Sequence, residues 1–144
     1  MTFASSDAPV ASVAPHGGRT AVYTPNPLAA AWPTAGDPVI LDVSMSITTN
    51  ALTNRLTREQ RLYPGWWAID AEGRPTDDPA VLTAQPPGAL LPMGGLDHGH
   101  KGYAFALLVE ALTGALAGHG RSDPNEGWGA SVFVQVLAPA LFGG

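Results

Sequence analysis

The chain has no cysteine, a single lysine and few charges of either sign. Without cysteine there is neither a disulfide framework nor a thiolate metal site. Charged residues make up 13% of the sequence, about half the ~25% usual for a globular domain. Seven basic residues stand against twelve acidic ones, for a net charge of −5. That balance excludes the basic surface that a nucleic acid or an anionic membrane would require. Long apolar runs are scarce too. The one such run, Tyr103 to Ala117, carries Glu110 and would be about 22 Å long as a helix, which suits a buried helix and is too short for a membrane span. Met1 to Pro15 has no basic segment and no continuous apolar stretch, the first positive side chain being Arg19. No signal peptide is expected, and the cytoplasm is the expected compartment.

What the chain has in quantity is glycine (17) and proline (14), so much of its backbone is expected in turns and irregular loops. Its 144 residues suffice for one domain with a real core. Residues 1–37 read as a proline-rich lead-in packed on the domain, and residues 38–144 as a single core. Pro38 to Ile47 is the best strand: Leu41, Val43, Met45 and Ile47 alternate with Asp42, Ser44 and Ser46. One face would be apolar, and the other would offer a carboxylate and two hydroxyls spaced about 6.6 Å apart. Such a face suits a sugar or an amide, and equally a solvated sheet surface. A helix capped by Thr48, Thr49 or Asn50 is expected to run to about Leu62. Arg55, Arg58 and Arg61 would share a solvated face of it with Glu59. Trp66 to Asp70 is expected as a short strand. Asp70, Glu72, Asp77 and Asp78 do not follow the calcium-loop spacing, so turn and cap chemistry explains them. Arg121 to Gly127 is expected as a polar loop and Ala130 to Leu137 as a second strand, with Val132, Val134 and Val136 on one side. Strands and helices do not alternate as regular βαβ units. The expected fold class is therefore α+β, a mixed, largely antiparallel sheet with flanking helices.

The densest chemistry lies in Gly94-Gly95-Leu96-Asp97-His98-Gly99-His100-Lys101-Gly102-Tyr103. It reads as a glycine-rich loop entering the apolar helix. Glycines let backbone approach a ligand, a helix start favours anions, and Lys101 adds a full charge. The expected ligand is a phosphate or carboxylate. The phosphate-loop pattern fails here because Lys101 follows His100 and precedes Gly102. The glycine fingerprint of Rossmann dinucleotide domains is absent as well, so any dinucleotide would bind outside that pattern. His98 and His100, with Asp97, could offer metal ligands, but the further ligands of a metallohydrolase do not follow. They read as loop histidines, and no metal is expected. No serine sits in a nucleophile elbow.

Several segments together resemble the malate/L-lactate dehydrogenase family of NAD(P)-dependent oxidoreductases. This sulfolactate-dehydrogenase-like group includes ureidoglycolate dehydrogenases, a diketogulonate reductase and cyclic-imine reductases. Pro15-His16-Gly17-Gly18 and Thr24-Pro25-Asn26-Pro27-Leu28-Ala29 are similar to the family's proline–glycine–glycine and G-T-N-P-L-A segments. Leu41-Asp42-Val43-Ser44-Met45-Ser46 is similar to its D-M-A-T-S strand. Pro64 to Pro79 follows its G-W-A-x-D-x-x-G-x-x-T-x-D-P segment, and Leu91 to Gly95 with Lys101-Gly102-Tyr103 follows its L-P-x-G-G and K-G-Y-G pieces.

The resemblance implies a non-Rossmann cofactor domain that binds NAD or NADP and a small-molecule substrate. The implied reaction is hydride transfer to or from a 2-oxo/2-hydroxy acid or a cyclic imine. It places cofactor contacts at Asp42, Val43, Ser44, Lys101 and Gly102, and it implies a homodimer for the full-length family. The alternative is a non-catalytic chain that binds only nucleotide or a partner chain. There are departures from the family pattern. Thr24-Pro25-Asn26-Pro27 replaces Gly-Thr-Asn-Pro, Leu96 to His100 lengthens the stretch before Lys101, and Ala104 stands where glycine is usual. Family members are more than twice as long, and the segment bearing their proton-transfer histidine has no counterpart here. The chain is thus expected to be the central cofactor-binding portion, and no catalytic residue is carried over.

Overall fold

Residues 1–6, 11–124 and 127–142 are described by the computed structural model. Asn125 and Glu126 of the expected polar loop, and the terminal Gly143 and Gly144, lie outside the described residues. In chain order the elements are β1 (Thr2–Ser6), β2 (Pro27–Trp32), β3 (Val39–Ser44), α1 (Asn50–Arg58), β4 (Ala68–Ile69), β5 (Pro75–Thr76), a 3-10 turn (Pro79–Thr83), β6 (Ala89–Leu90), α2 (Gly95–Glu110), a π turn (Ala111–Ala115), β7 (Ala130–Val134) and a last 3-10 turn (Pro139–Phe142). Four strands form one sheet in the order β3-β2-β1-β7, and three short ones form a second in the order β5-β4-β6. Every named pairing is antiparallel. This is the expected α+β architecture.

Residues 1–37 do more than lie against a core. They supply β1, between β2 and β7, and β2 itself. Phe3 and Ser5 point inward and are buried, and Ser5 Oγ lies 2.8 Å from Thr113 Oγ1 on the π turn that continues α2. Alternation along the paired strands places Phe3, Ser131, Phe133, Leu28, Leu41 and Val43 on that inner face. Ala29, Ala31, Ile40, Asp42, Val132 and Val134 fall on the outer one. A core of Val13, Tyr23, Met45, Leu56, Tyr63, Ala68, Leu90 and Ala106 joins α1, α2 and the small sheet.

The ends of β3 and α1 differ from the sequence expectation, each for a local reason. The best strand ends at Ser44, and the chain bends there before Ser46 pairs with Pro92 as an isolated bridge. The bend draws the two serines together, Oγ to Oγ 3.1 Å, well inside the extended-strand spacing. Helix α1 is capped by Thr49, whose side chain accepts from Leu52 N at 3.1 Å. It stops at Arg58, short of Leu62, because Gln60 turns left-handed at φ 53 and Arg61 N donates back to the Leu56 carbonyl, a helix-ending arrangement of the Schellman kind.

The largest difference is α2. It starts at Gly95, so the expected glycine-rich loop is two turns of helix, with Gly94 at φ 98 making the entry. Glycine inside a helix costs about 1 kcal/mol against alanine. Close packing explains why it is kept. A Cβ on Gly99 would lie 2.8 Å from His16 Nδ1, and one on Gly102 would lie 2.5 Å from Met93 N and 2.7 Å from the Met45 carbonyl oxygen.

Candidate nucleotide-binding site

Gly102 ties the two sequence-picked segments together. It is buried, its N–H donates to the Met93 carbonyl at 3.2 Å, and Met93 N donates to the Met45 carbonyl at 2.6 Å. Helix α2 is thereby seated directly on the chain that leaves β3. The glycine's missing side chain makes room for protein backbone, and this corrects the expectation of an open approach for a ligand. Lys101, one residue earlier, is exposed on the second turn of α2. It does not stand at the helix start. Among the described residues no ion pair engages its ammonium. The α2 N-terminus has no side-chain cap, and Asp97 lies in its first turn, where a carboxylate is favoured by the helix dipole.

Asp42, Val43 and Ser44 form the end of β3, which pairs only with β2 among the described strands. One side of its backbone is therefore an open edge. Ser44 Oγ is tied to Ser46, and Ser46 Oγ donates to the Thr48 carbonyl at 2.6 Å. The Asp42 carboxylate is exposed on the outer face of the sheet, the face opposite the one α2 covers. The structure thus brings the 43–46 segment and Gly102 together and leaves Asp42 around the edge from them.

The histidines gather beside this junction. The His16 ring stands edge-on to His100 at 5.8 Å, and His98 to His100 at 6.2 Å. Among the described residues no group of three or more His, Cys, Asp or Glu side chains is arranged to hold a metal ion. Asp70 and Asp78 do turn and cap work. Asp70 accepts from Arg74 N and Glu72 N, and Arg74 Nε donates to it at 2.8 Å. Those bonds from Arg74, backbone first, hold its carboxyl below the ordinary range. Asp78 accepts from Ala80 N at 2.9 Å. Arg55 and Arg61 flank Glu59 on an exposed face. A cavity of about 790 Å³ lies elsewhere, lined by Ser12, Arg19, Asn50, Asn54, Thr83 and Gly88 among others, and none of the sequence-picked residues lines it.

A polar cluster that sequence reasoning missed lies under the junction. Arg121 Nε donates to Glu110 Oε1 at 2.9 Å, its Nη1 to the Ser6 carbonyl at 3.2 Å and its Nη2 to Asn26 Oδ1 at 3.1 Å. Asn26 Nδ2 donates to Glu110 Oε1 at 2.6 Å, and Thr24 Oγ1 donates to Asn26 Oδ1 at 2.9 Å. The guanidinium also lies 5.7 Å from the Tyr23 ring centroid, a cation–π distance. Burial above all, with a hydrogen bond to Tyr103, pushes the Tyr23 phenol up to about 12. The partners are far apart in sequence, so only the position of Glu110 within an apolar run could have signalled them.

The sequence model of malate/L-lactate dehydrogenase matches residues 1–144. The chain belongs to that family. It is 38% identical over 135 residues to an L-lactate dehydrogenase of Cupriavidus necator, covering 90% of this chain and 38% of that protein. It is 41% identical over 134 residues to a Delta(1)-pyrroline-2-carboxylate reductase of Burkholderia multivorans, covering 90% of the chain and 37% of the relative. Its fold superposes on the crystal structure of a malate dehydrogenase from Entamoeba histolytica with TM-score 0.72 and 27% identity, over 83% of this chain and 35% of that one. This family member thus spans less than two fifths of the length of these relatives. Among its described residues no helix is long and apolar enough to cross a membrane.

Proposed function

We propose that this chain binds a nicotinamide dinucleotide, NAD or NADP, as the cofactor portion of an oxidoreductase. The reaction would be hydride transfer to or from a 2-oxo/2-hydroxy acid or a related cyclic imine. Membership of the malate/L-lactate dehydrogenase family supports the reaction class. The observation that carries the site is the seating of Gly102 on the Met45 carbonyl, with the exposed Lys101 preceding Gly102 on α2 and the end of β3 preceding Met45.

The residues present fit such a cofactor. Lys101 is an unpaired cation among the described residues, with an uncapped helix start two turns away. That combination suits a pyrophosphate. The Asp42 carboxylate offers two acceptor oxygens and no donor, which suits both hydroxyls of a ribose. The free edge at Val43 and Ser44 offers backbone donors and acceptors. Gly102 contributes by letting α2 sit directly against the chain that leaves β3. A bound dinucleotide would supply the hydride, while these residues bind and orient it. No residue of this chain is assigned to proton transfer.

Titration of the purified chain with NADPH and with NADH, followed by the change in nucleotide fluorescence, tests the proposal. Binding is expected, and Lys101→Ala should weaken it about tenfold, the loss of one charge-assisted phosphate contact. The absence of any fluorescence change with either nucleotide for the wild-type chain would overturn it.

A further inference from the structure

Asn26 is fully buried and holds a left-handed backbone at φ 44, a conformation routine for glycine and, among residues with side chains, best tolerated by asparagine and aspartate. Its side chain is held at both ends. The amide nitrogen donates to Glu110, and the amide oxygen accepts from Thr24 and from Arg121. Glu110 and Arg121 are each only 20% exposed at the side chain and are paired with each other. A buried charge pair is stabilising only when its remaining hydrogen-bonding capacity is met, and here Asn26, Thr24 and the Ser6 carbonyl meet it. The cluster thus fixes the Thr24–Pro27 turn from three directions.

That turn reaches the candidate site by a short path. The carbonyl of Pro25, next to Asn26, accepts from Met45 N at 2.9 Å. The Met45 carbonyl accepts from Met93 N and lies against Gly102. Tyr103, the neighbour of Gly102, lies 5.9 Å from Tyr23, ring centroid to ring centroid. Glu110 belongs to the same helix as Lys101 and Gly102. Both sides of the junction, strand end and helix, are therefore anchored to one charge cluster.

We propose that Glu110, Arg121 and Asn26 are positioning residues for the nucleotide site. The ion pair holds Asn26 in its left-handed turn, and that turn sets the position of Met45 against Gly102. The inference rests on the reading of the β3–α2 junction as the nucleotide site, but its geometry can be tested without nucleotide.

Asn26→Ala and Asn26→Gly both delete the three side-chain hydrogen bonds, but only glycine tolerates φ 44 without strain. Both variants release the turn from the ion pair, so the backbone amide resonances of Met45, Met93 and Gly102 should shift in each, and further in Asn26→Ala, where backbone strain adds. The dissociation constant for NADPH should rise at least fivefold in the alanine variant and several-fold in the glycine one. Arg121→Lys keeps the charge but loses the planar fork that meets Glu110, Asn26 and Ser6 together. It is expected to fold, to move the same three amide signals and to weaken nucleotide binding several-fold. Unmoved Met45 and Gly102 resonances in Arg121→Lys would overturn the proposal, as would wild-type resonances at these positions in Asn26→Gly. Shifted resonances in a chain that binds no nucleotide would instead uphold the positioning path and remove the nucleotide reading.

Discussion

Tyr23 illustrates how much one side chain can carry in this molecule. It closes the main core, packs at a tilt against Tyr103 and lies against the Arg121 guanidinium. Burial favours its neutral phenol, so the folded chain holds the proton up to about pH 12, whereas an unfolded tyrosine loses it near 10. Between those values the unfolded state binds fewer protons than the folded one, so stability must fall as pH rises. Below about pH 10 both states keep the proton and the contribution is constant. Tyr63 is raised in the same direction, chiefly by burial. Thermal melts should therefore be flat in this respect up to about pH 10 and lose midpoint steadily above it. Tyr23→Phe, which has no proton to lose, should show a shallower alkaline decline, with the part due to Tyr63 remaining. Equal slopes for the two proteins would mean that the buried phenol is not what makes the fold sensitive to alkali.

At the scale of elements, the seat of α2 on the strand end is decided by glycines. A Cβ on Gly102 would meet three backbone atoms, Met93 N, Met93 O and Met45 O, all at 2.7 Å or less. Backbone cannot move aside as a flexible side chain can, so Gly102→Ala must lift the helix or shear the strand end. Overpacking of this kind costs roughly 1–3 kcal/mol, against a helix-propensity gain of about 1 kcal/mol. The expected outcome is a lower thermal midpoint together with weaker nucleotide binding. Gly118→Ala serves as a control, since that glycine has open space around it but a φ of 74, so it should lower the midpoint through strain and leave binding alone. An unchanged midpoint in Gly102→Ala would contradict the close approach.

The same element shows where sequence reasoning reached its limit. Four glycines in nine residues look like a loop when only local propensity is considered. Their helical state depends on contacts with Met45 and His16, which lie far away along the chain, as well as with Met93 just before them. The alternation in Pro38 to Ile47 was readable because it is a local pattern, and so were the Thr49 and Asp78 caps. Strands β1 and β2 escaped because Thr-Phe-Ala-Ser-Ser and Pro-Leu-Ala-Ala-Ala-Trp carry little β-branched alternation. They are strands because β7 and β3 pair with them. Of the candidate site, Lys101 and the β3 end could be picked out by resemblance, whereas the Glu110–Arg121–Asn26 cluster could not, since its members join three separate stretches of chain.

For the molecule as a whole, the four-stranded sheet is covered on one face only. The inner face meets α2 and its π turn, while Ile40 (71% exposed), Val132 (59%) and Val134 (62%) stand on the outer face with Ala29 and Ala31. Small alanines leave that face flat, and β3 and β7 end the sheet with no strand beyond them among the described residues. A flat apolar sheet face with open edges is an association surface in water. The chain is therefore expected to bind the dye ANS in its folded state and to self-associate as its concentration rises. Val132→Thr with Val134→Thr keeps β-branching, and so the strand propensity of β7, while placing two hydroxyls on the outer face. This double variant should lower ANS fluorescence substantially and stay monomeric to higher concentration in sedimentation runs, with the amide resonances of Met45 and Gly102 undisturbed. If the dye signal persists unchanged, the association surface is instead the exposed leucines Leu107 and Leu108 of α2 and Leu116 just past its π turn, and the outer face of the sheet is ruled out.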